Sequence, residues 1–136
     1  MHSAKTKQDD DLINSLITIA SSSLPYSKKP VSKNQKITVT TTLFDVLINH
    51  PYQYKQSEVF YEVHITRLKK DPNSLKMESY KLQRSELCSL WGWGIHGDSK
   101  GRLALIPVES KKYVELVTNG SVKKKNAQVK KNKTTI

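Results

Sequence analysis

The chain has 136 residues, a length that corresponds to one domain with short extensions at roughly 100–200 residues per domain. No run of apolar residues approaches the roughly 18 that a membrane-spanning helix needs, so the sequence predicts no such helix. Lysine and arginine outnumber acidic residues 23 to 12, and the resulting net charge of +11 favours polyanionic partners. The single cysteine, Cys88, excludes an internal disulfide and a cysteine-based zinc site.

The N-terminal residues only partly match an export signal. Lys5 and Lys7 precede an apolar segment at residues 12–20, but three consecutive aspartates at residues 9–11 separate these lysines from the apolar segment. Polar residues also interrupt the apolar segment, whereas a signal peptide needs a continuous one. We therefore expect a cytoplasmic protein in which residues 1–10 form a flexible N-terminus.

The first structured segments are a strand and a loop. Residues 12–20 fit both a helical stripe and one face of a strand, and their β-branched residues favour the strand. Residues 24–36 contain Pro25 and Pro30 together with serines and an asparagine. This composition is typical of a loop.

Residues 38–49 form the clearest predicted helix. A threonine near the start can cap it, and Pro51 ends it because proline disfavours helical geometry at the preceding residue. The apolar residues recur with helical spacing and form one stripe: Val39, Leu43, Val46 and Leu47.

Residues 58–67 alternate in character and are predicted to form a half-buried strand. On its polar face, Glu62 and His64 could join His50 or His96 in a metal site with two histidines and one carboxylate. No short spacing between ligands supports such a site, so we predict no metal. The other face of the strand carries Val59, Tyr61, Val63 and Ile65.

The C-terminal half contains the predicted hairpin. Residues 68–73 read as a turn and residues 74–87 as an irregular helix. Residues 91–96 and 102–108 are predicted strands, and the glycine-rich segment between them indicates a hairpin.

A final helix is predicted to begin after Ser110, which caps it, and to end at Thr118. Helices and strands alternate without a regular βαβ repeat. The expected fold is therefore α+β, a small and mainly antiparallel sheet with helices packed on one face, in a single domain over residues 11–120. The residues of the last helix predicted to point inward are Tyr113, Leu116 and Val117.

Much of the charge lies in residues 121–136, which we interpret as a basic C-terminal tail. Without its lysines the remaining chain has a net charge of only +5. Such a tail can bind nucleic acid or another polyanion, or it can be a solvated extension. No aromatic residue lies between its lysines, as a single-strand binder would favour. The six lysines are Lys123, Lys124, Lys125, Lys130, Lys131 and Lys133.

Three motifs are unusual: HPYQY at residues 50–54, EVFYEV at residues 58–63 and WGWGIH at residues 91–96. In this order they resemble the HPY-x-Y, EV-x-x-EV and [YW]-GWGIH motifs of a widespread bacterial family of small proteins of unknown function. The resemblance covers residues 12–118, with Trp91 where a tyrosine is usual and a shortened segment at residues 69–84. It implies a shared fold and a shared candidate site, but no reaction.

The third motif carries the main candidate site. In a strand, Gly92, Gly94 and His96 share one face, which would leave a slot that ends at an imidazole. Alternatively, the glycines only admit a packed helix and His96 is structural. The candidate ligand-binding residues are Gly92, Trp93, Gly94, His96, Tyr52 and Tyr54; the candidate catalytic residues are His96, Glu62 and His50.

Three functions remain open at this point. The preferred one is a non-enzymatic module that binds a ligand or a partner through the WGWGIH hairpin. A small enzyme that uses His96 with Glu62 or His50 as acid–base partners is the second. The third is a nucleic-acid-associated protein that uses the basic tail. We expect no cofactor and no membrane association, and an open sheet edge could pair in a homodimer.

Overall fold

A computed structural model describes residues 12–74 and 82–128. Within these ranges the chain forms a four-stranded sheet in the order β3-β2-β1-β4. Strands β1 and β2 pair antiparallel, as do β2 and β3, whereas β4 pairs parallel with β1. The predicted α+β fold with a mainly antiparallel sheet is confirmed. The strands are β1 (Ser15–Thr18), β2 (Trp93–Gly97), β3 (Leu103–Pro107) and β4 (Lys123–Asn126).

The helices are short. None of them in the described part of the chain is both long enough and apolar enough to cross a membrane. They are α1 (Val39–Asn49), α2 (Gln56–Phe60), which continues as a π-helix (Tyr61–Arg67), α3 (Glu86–Ser89) and α4 (Lys111–Thr118). Short 3-10 turns lie at Lys33–Gln35, Pro72–Ser74 and Leu82–Arg84.

Both faces of the sheet are covered. Leu16 and Ile17 are neighbours in β1 and point to opposite faces, yet both are completely buried. This burial explains why residues 12–20 lack a clean alternation, since a strand covered on both sides reads as a continuous apolar run. The register places Ile17, Ile95 and Leu105 on one face and Leu16, His96 and Ala104 on the other.

The larger core lies between the first of these faces and α1. Thr38 caps this helix by accepting a hydrogen bond from the Thr41 N–H at 3.1 Å, as the sequence predicted. The Phe44 ring packs edge-on against the Trp93 indole, with ring centroids 5.4 Å apart. Other buried members of this core are Leu43, Val46, Leu47, Val59, Val63, Ile95 and Leu103.

The strand predicted at residues 58–67 is wrong, because this segment is helical. Val59 and Val63 lie four residues apart and share a face in a strand and in a helix, so they do not distinguish the two structures. Phe60 and Tyr61 distinguish them. The predicted strand would bury Tyr61, but Phe60 is buried and Tyr61 is 60% exposed. The Glu58 carboxylate accepts the Lys55 N–H at 2.8 Å and stabilises the helix start.

Helix α4 adds a layer on the second face of the sheet, which corrects the prediction that the helices pack on one face only. Its N-cap is Ser110, as predicted, which accepts the Tyr113 N–H at 3.2 Å. Tyr113 and Leu116 are buried against Leu16. Val117, predicted to point inward, is 39% exposed because the face of α4 that meets the sheet runs through Tyr113 and Leu116, and Val117 lies at its margin.

Part of the predicted basic tail is a strand. Lys123–Asn126 forms β4 and extends the sheet beside β1, which corrects the interpretation of this part as a solvated extension. Main-chain bonds explain the pairing: the Lys123 N–H donates to the Asn14 carbonyl at 2.8 Å, and such bonds do not depend on the side chains. Lys130, Lys131 and Lys133 lie outside the described residues.

The irregular helix predicted at residues 74–87 is described only in part. Residues 75–81 lie outside the described ranges. The remainder contains the 3-10 turn Leu82–Arg84 and the beginning of α3, separated by Ser85, whose hydroxyl accepts the Leu87 N–H at 3.1 Å. The described part is therefore two short turns rather than one helix.

Candidate functional site

The two tryptophans of the WGWGIH motif support the fold. Trp93 is 8% exposed and belongs to the larger core, and its indole N–H donates to the Lys28 carbonyl at 3.0 Å. The Lys28 N–H in turn donates to the Trp91 carbonyl at 3.0 Å. The motif therefore fixes the middle of the long segment between β1 and α1 beside strand β2.

Gly92 is required by close backbone contact. Its φ of +78° is in the region that favours glycine, and a methyl group on it would lie 2.1 Å from the Tyr26 carbonyl oxygen. The Gly92 N–H donates to the Ser23 hydroxyl at 2.9 Å. Gly92 thus lets the segment around Tyr26 lie directly on the backbone of the motif.

The space beside Gly94 is filled by protein. A methyl group there would lie 2.8 Å from Cε1 of Tyr113 and 3.2 Å from the Ile17 carbonyl oxygen. The Tyr113 hydroxyl accepts the Ile19 N–H at 3.0 Å, which holds its ring over the sheet. The slot considered for the glycine face is therefore occupied by the Tyr113 ring, as in the alternative interpretation that the glycines admit a helix.

His96 and Tyr52 come together at the end of this face. The Tyr52 hydroxyl lies 2.7 Å from Nδ1 of His96, and the two rings meet edge-on at 85°. Tyr52 has a φ of +59°, which is uncommon for a residue with a side chain, and its N–H donates to the Leu103 carbonyl at 2.8 Å. Its side chain crosses β3 beside the small Ala104, the cross-strand neighbour of His96.

The charges around His96 favour its neutral form. Burial lowers the pKa of His96 below its ordinary value, Lys112 lowers it further, and the carboxylate of Asp98 acts in the opposite direction. Asp98 itself pairs with Arg102, with Nε and Oδ2 3.1 Å apart. The ammonium group of Lys112 lies 5.1 Å from the centre of the Tyr52 ring, within cation–π range.

The Tyr52 contact bears on the tautomer of His96. A tyrosine hydroxyl can donate to an unprotonated Nδ1 or accept from an Nδ1–H group; we adopt the first arrangement, which places the ring proton on Nε2. Among residues 12–74 and 82–128 no group forms a hydrogen bond with Nε2 of His96. This nitrogen is also not one of the buried polar atoms that lack a partner. The site thus presents an N–H donor and an ammonium group at the end of the hairpin.

Comparison with known proteins gives a family and no function. A family model described as a family of unknown function (DUF6157) matches residues 7–133. The chain belongs to this family. No curated protein and no solved structure matches the chain. The resemblance to a family of unknown function is therefore confirmed, and the match with DUF6157 includes β4 and all six lysines of the predicted tail.

The other candidate residues of this DUF6157 chain, His50, Glu62 and Tyr54, contact groups other than His96. His50 packs against Tyr54, with ring centroids 5.3 Å apart. The Glu62 carboxylate pairs with Arg67 at 3.1 Å on the π-helix, and neither His50 nor Glu62 is among the charged or bonded groups that act on His96. Tyr54 packs at the edge of the larger core, and its carbonyl accepts the Leu103 N–H at 2.8 Å.

His64 occupies a separate buried position. Its Nδ1 lies 3.0 Å from the Lys70 ammonium group, and burial, followed by the charge of Lys70, lowers its pKa. In the described residues of this DUF6157 protein, no three His, Cys, Asp or Glu side chains are placed to hold a metal ion. Cys88 is completely buried, and burial raises the pKa of its thiol, which makes it a poor nucleophile.

The sequence analysis missed Lys112. This lysine lies on the exposed side of α4, next to Lys111, and nothing in the local pattern distinguishes the two. Only the packing of α4 across the second face of the sheet brings Lys112 to Tyr52. A prediction from sequence would have needed the position of this helix.

Proposed function

We propose that this protein is a non-enzymatic binding module that recognises an anionic group through His96 and Lys112 at the end of the β2–β3 hairpin. The observation that carries the proposal is the 2.7 Å hydrogen bond between the Tyr52 hydroxyl and Nδ1 of His96. With the Tyr52 hydroxyl as the donor, this bond holds the imidazole in one orientation and leaves Nε2–H directed away from Tyr52. A ligand for this group must offer an acceptor oxygen.

Lys112 supplies the charge of the site. Its ammonium group lies 5.1 Å from the centre of the Tyr52 ring that contacts His96, and its charge lowers the pKa of His96, so both groups belong to this end of the hairpin. A neutral N–H donor beside a full positive charge suits a carboxylate or phosphate oxygen.

Binding rather than catalysis is supported by the partners of His96. Asp98, the carboxylate that acts on this histidine, is occupied by Arg102 and by the backbone N–H groups of Lys100 and Arg102. Nδ1 of His96 is held by Tyr52 rather than by a carboxylate that would strengthen it as a base. Among the described residues, the enzyme alternative therefore has no assembled pair of catalytic groups around His96 to support it.

The nucleic-acid alternative has less support. The Lys124 ammonium group donates to the Asn119 and Val122 carbonyls, at 2.6 and 2.5 Å, so it stabilises the turn before β4. Lysine is also a common residue on exposed edge strands, where it prevents pairing with other sheets. The charge of β4 thus has a structural explanation that needs no polyanion.

The test uses the imidazole of His96 as the reporter. In ¹³C-labelled full-length protein, the His96 Cε1–H signal is assigned with His96→Gln and followed during titration with sodium phosphate, sodium acetate or sodium chloride at equal ionic strength. We expect a saturable shift with phosphate or acetate and none with chloride. Phosphate and acetate differ in shape, so the stronger response identifies the kind of anion.

Two lysine variants control for charge. Lys112→Gln should weaken the titration several-fold, whereas Lys111→Gln, which removes the same charge one residue away, should leave it unchanged. Equal weakening by both variants would show only a general attraction to a basic protein. A linear shift, or the same shift with all three salts, would overturn the proposal.

A further inference from the structure

We propose that a groove between residues 29–37 and helix α1 docks an acidic peptide segment of a partner protein, with an apolar side chain of that segment as its anchor. The groove has a volume of about 320 Å³. It lies in the part of the fold that the WGWGIH motif holds in place and does not involve His96 or Lys112. This surface is independent of the anion site proposed above.

The base of the groove is apolar and rigid. Phe44, which is 7% exposed, lines it from α1, and its other side packs edge-on against Trp93. The buried Pro30 lines the opposite wall. A pocket for one apolar side chain is therefore already formed without the partner.

Two large apolar side chains stand at the rim. Val31 is 65% exposed and Ile37 is 79% exposed, and both line the groove. Exposed apolar side chains that surround a cavity are typical of an interaction surface. Because these side chains project beyond the cavity, a ligand confined to the cavity would leave them in water. A longer occupant, such as a peptide segment, would cover them.

The charge of this region selects an acidic partner. Residues 24–37 contain four lysines and no acidic residue, and Asp45 is the one acid in the lining of the groove. In the described part of the chain no side-chain hydrogen bond or ion pair occupies these four ammonium groups. Lys29 and Lys36 line the groove itself, so their ammonium groups are available to carboxylates beside an apolar anchor. The four lysines are Lys28, Lys29, Lys33 and Lys36.

The chain is anchored immediately before the groove. The Ser27 N–H and hydroxyl both donate to the Glu109 carboxylate at 2.8 Å, and Lys28 is fixed by both tryptophans of the motif. Asn34 and Gln35 have φ values of +57° and +56° and turn the chain back toward α1. A preformed groove lowers the entropic cost of docking.

Nucleic acid fits this surface less well. The lining of the groove contains no exposed aromatic ring on which a base could stack, since Phe44 is buried; the half-exposed Tyr26 of the preceding segment is not part of the lining. A phosphate backbone would contact the lysines but would leave Val31 and Ile37 uncovered. A single-stranded oligonucleotide is therefore the competing occupant in the test.

The test measures binding of synthetic peptides to the full-length protein by fluorescence anisotropy. The probe is a fluorescein-labelled peptide EDELLEDE; the controls are QNQLLQNQ, without the acidic groups, EDESSEDE, without the anchor, and labelled oligo-dT. We expect saturable binding of the first peptide and weaker binding of all three controls. No saturable binding of EDELLEDE, equal binding of EDESSEDE, or preference for oligo-dT would each overturn the proposal.

Variants locate the surface. Ile37→Ser should weaken EDELLEDE binding by about fivefold or more, because it removes apolar area that the peptide covers. The matched control is Val114→Ser, which changes a side chain 58% exposed on α4, on the opposite face of the sheet. Lys36→Gln should weaken binding more than Lys111→Gln does. Equal effects of the paired variants would contradict the assigned surface.

One further variant separates the two proposals. Lys112→Gln should weaken the response of the His96 imidazole to phosphate or acetate and leave peptide binding unchanged. A loss of peptide binding in this variant would place the peptide at the hairpin end and overturn the groove assignment. Retention of peptide binding with no anion response in the parent protein would overturn the anion site alone.

Discussion

The Tyr52 hydroxyl and Nδ1 of His96 lie 2.7 Å apart, although 44 positions separate the two residues in the chain. Tyr52 reaches this position because its backbone adopts a φ of +59° and bonds the outer edge of β3. His96 ends the glycine-containing face of β2. The contact therefore joins the HPYQY and WGWGIH motifs in one site.

Removal of the Tyr52 hydroxyl should release the His96 tautomer. In Tyr52→Phe, Nδ1 loses its donor, so we expect the ¹⁵N signals of the imidazole to move toward an average of both tautomers. The free energy of unfolding should fall by about 1 kcal/mol, as for one partly buried hydrogen bond. Urea unfolding measures this change. Unchanged ¹⁵N signals would show that the bond does not set the tautomer.

Removal of the Lys112 charge should raise the pKa of His96. Burial is the main cause of its lowered pKa, and the positive charge of Lys112 is the second. In Lys112→Gln the pKa should therefore rise without returning fully to the ordinary value. Asp98→Asn should lower it, because the carboxylate acts in the opposite direction. NMR titration of Cε1–H measures both, and shifts of the opposite sign would contradict the assigned electrostatics.

The stability of the protein should fall as the pH drops below 6.5. The pKa values of His64 and His96 are both below their ordinary value of 6.5 in the folded protein, so the unfolded chain binds protons first as the pH falls. The free energy of unfolding should be level above this pH and decrease between it and the folded pKa values. Asp98 and Glu109 have lowered pKa values, so their effect on the free energy of unfolding comes at lower pH, where carboxylates take up protons.

Urea unfolding at about pH 7.5 and about pH 5.5 measures this dependence. His96→Gln should remove part of the decrease and leave the part due to His64. A free energy of unfolding that does not change over this window would show that the histidines have the same affinity for protons in the folded and the unfolded chain.

Three glycines should respond differently to alanine. The added methyl group at Gly92 meets the Tyr26 carbonyl at 2.1 Å, at Gly94 it meets the Tyr113 ring at 2.8 Å, and at Gly120 it meets nothing within 4 Å. We expect Gly92→Ala to destabilise most, Gly94→Ala by about 1–3 kcal/mol, and Gly120→Ala by less than about 0.5 kcal/mol. Urea unfolding ranks the three, and equal effects would contradict the close packing of the motif.

Removal of β4 should destabilise the sheet. A chain that ends at Gly120 loses the bonds from the Lys123 N–H to Asn14 and from the Ala127 N–H to Thr18, and it exposes the edge of β1. We expect a loss of about 2 kcal/mol or more in the free energy of unfolding. Lys123→Gln should have little effect, because the strand pairs through its backbone.

A chain that ends at Gln128 is the control for this truncation, since it keeps β4 and lacks Lys130, Lys131 and Lys133. Equal stability of the chains that end at Gly120 and at Gln128 would contradict the structural role of β4. The Gln128 chain also tests polyanion binding by the terminal lysines, because salt-sensitive retention on DNA should fall in it if these lysines carry that binding.

Much of the fold could be predicted from the sequence, because the informative signals were local. Helix α1 shows helical spacing and a threonine cap, the β2–β3 hairpin is marked by its glycine-rich turn, and α4 begins at its serine cap. The helix at residues 56–67 was missed because Val59 and Val63 share a face under both periods. The choice between a helix and a strand depended on whether Phe60 or Tyr61 was buried, and only tertiary packing decides this.

The candidate site was partly predictable in the same sense. The motifs marked Tyr52 and His96 as residues of interest, but their contact depends on the crossing of β3 by one side chain, and Lys112 carried no local signal. Strand β4 was also missed, since a lysine run has no apolar pattern and its pairing comes from main-chain bonds to β1.

The sequence by itself determined the family resemblance, the class of fold and the elements with local caps, turns and periods. The tertiary structure decided which side chain fills the glycine face and which charges surround His96, because these depend on contacts between residues far apart in the chain.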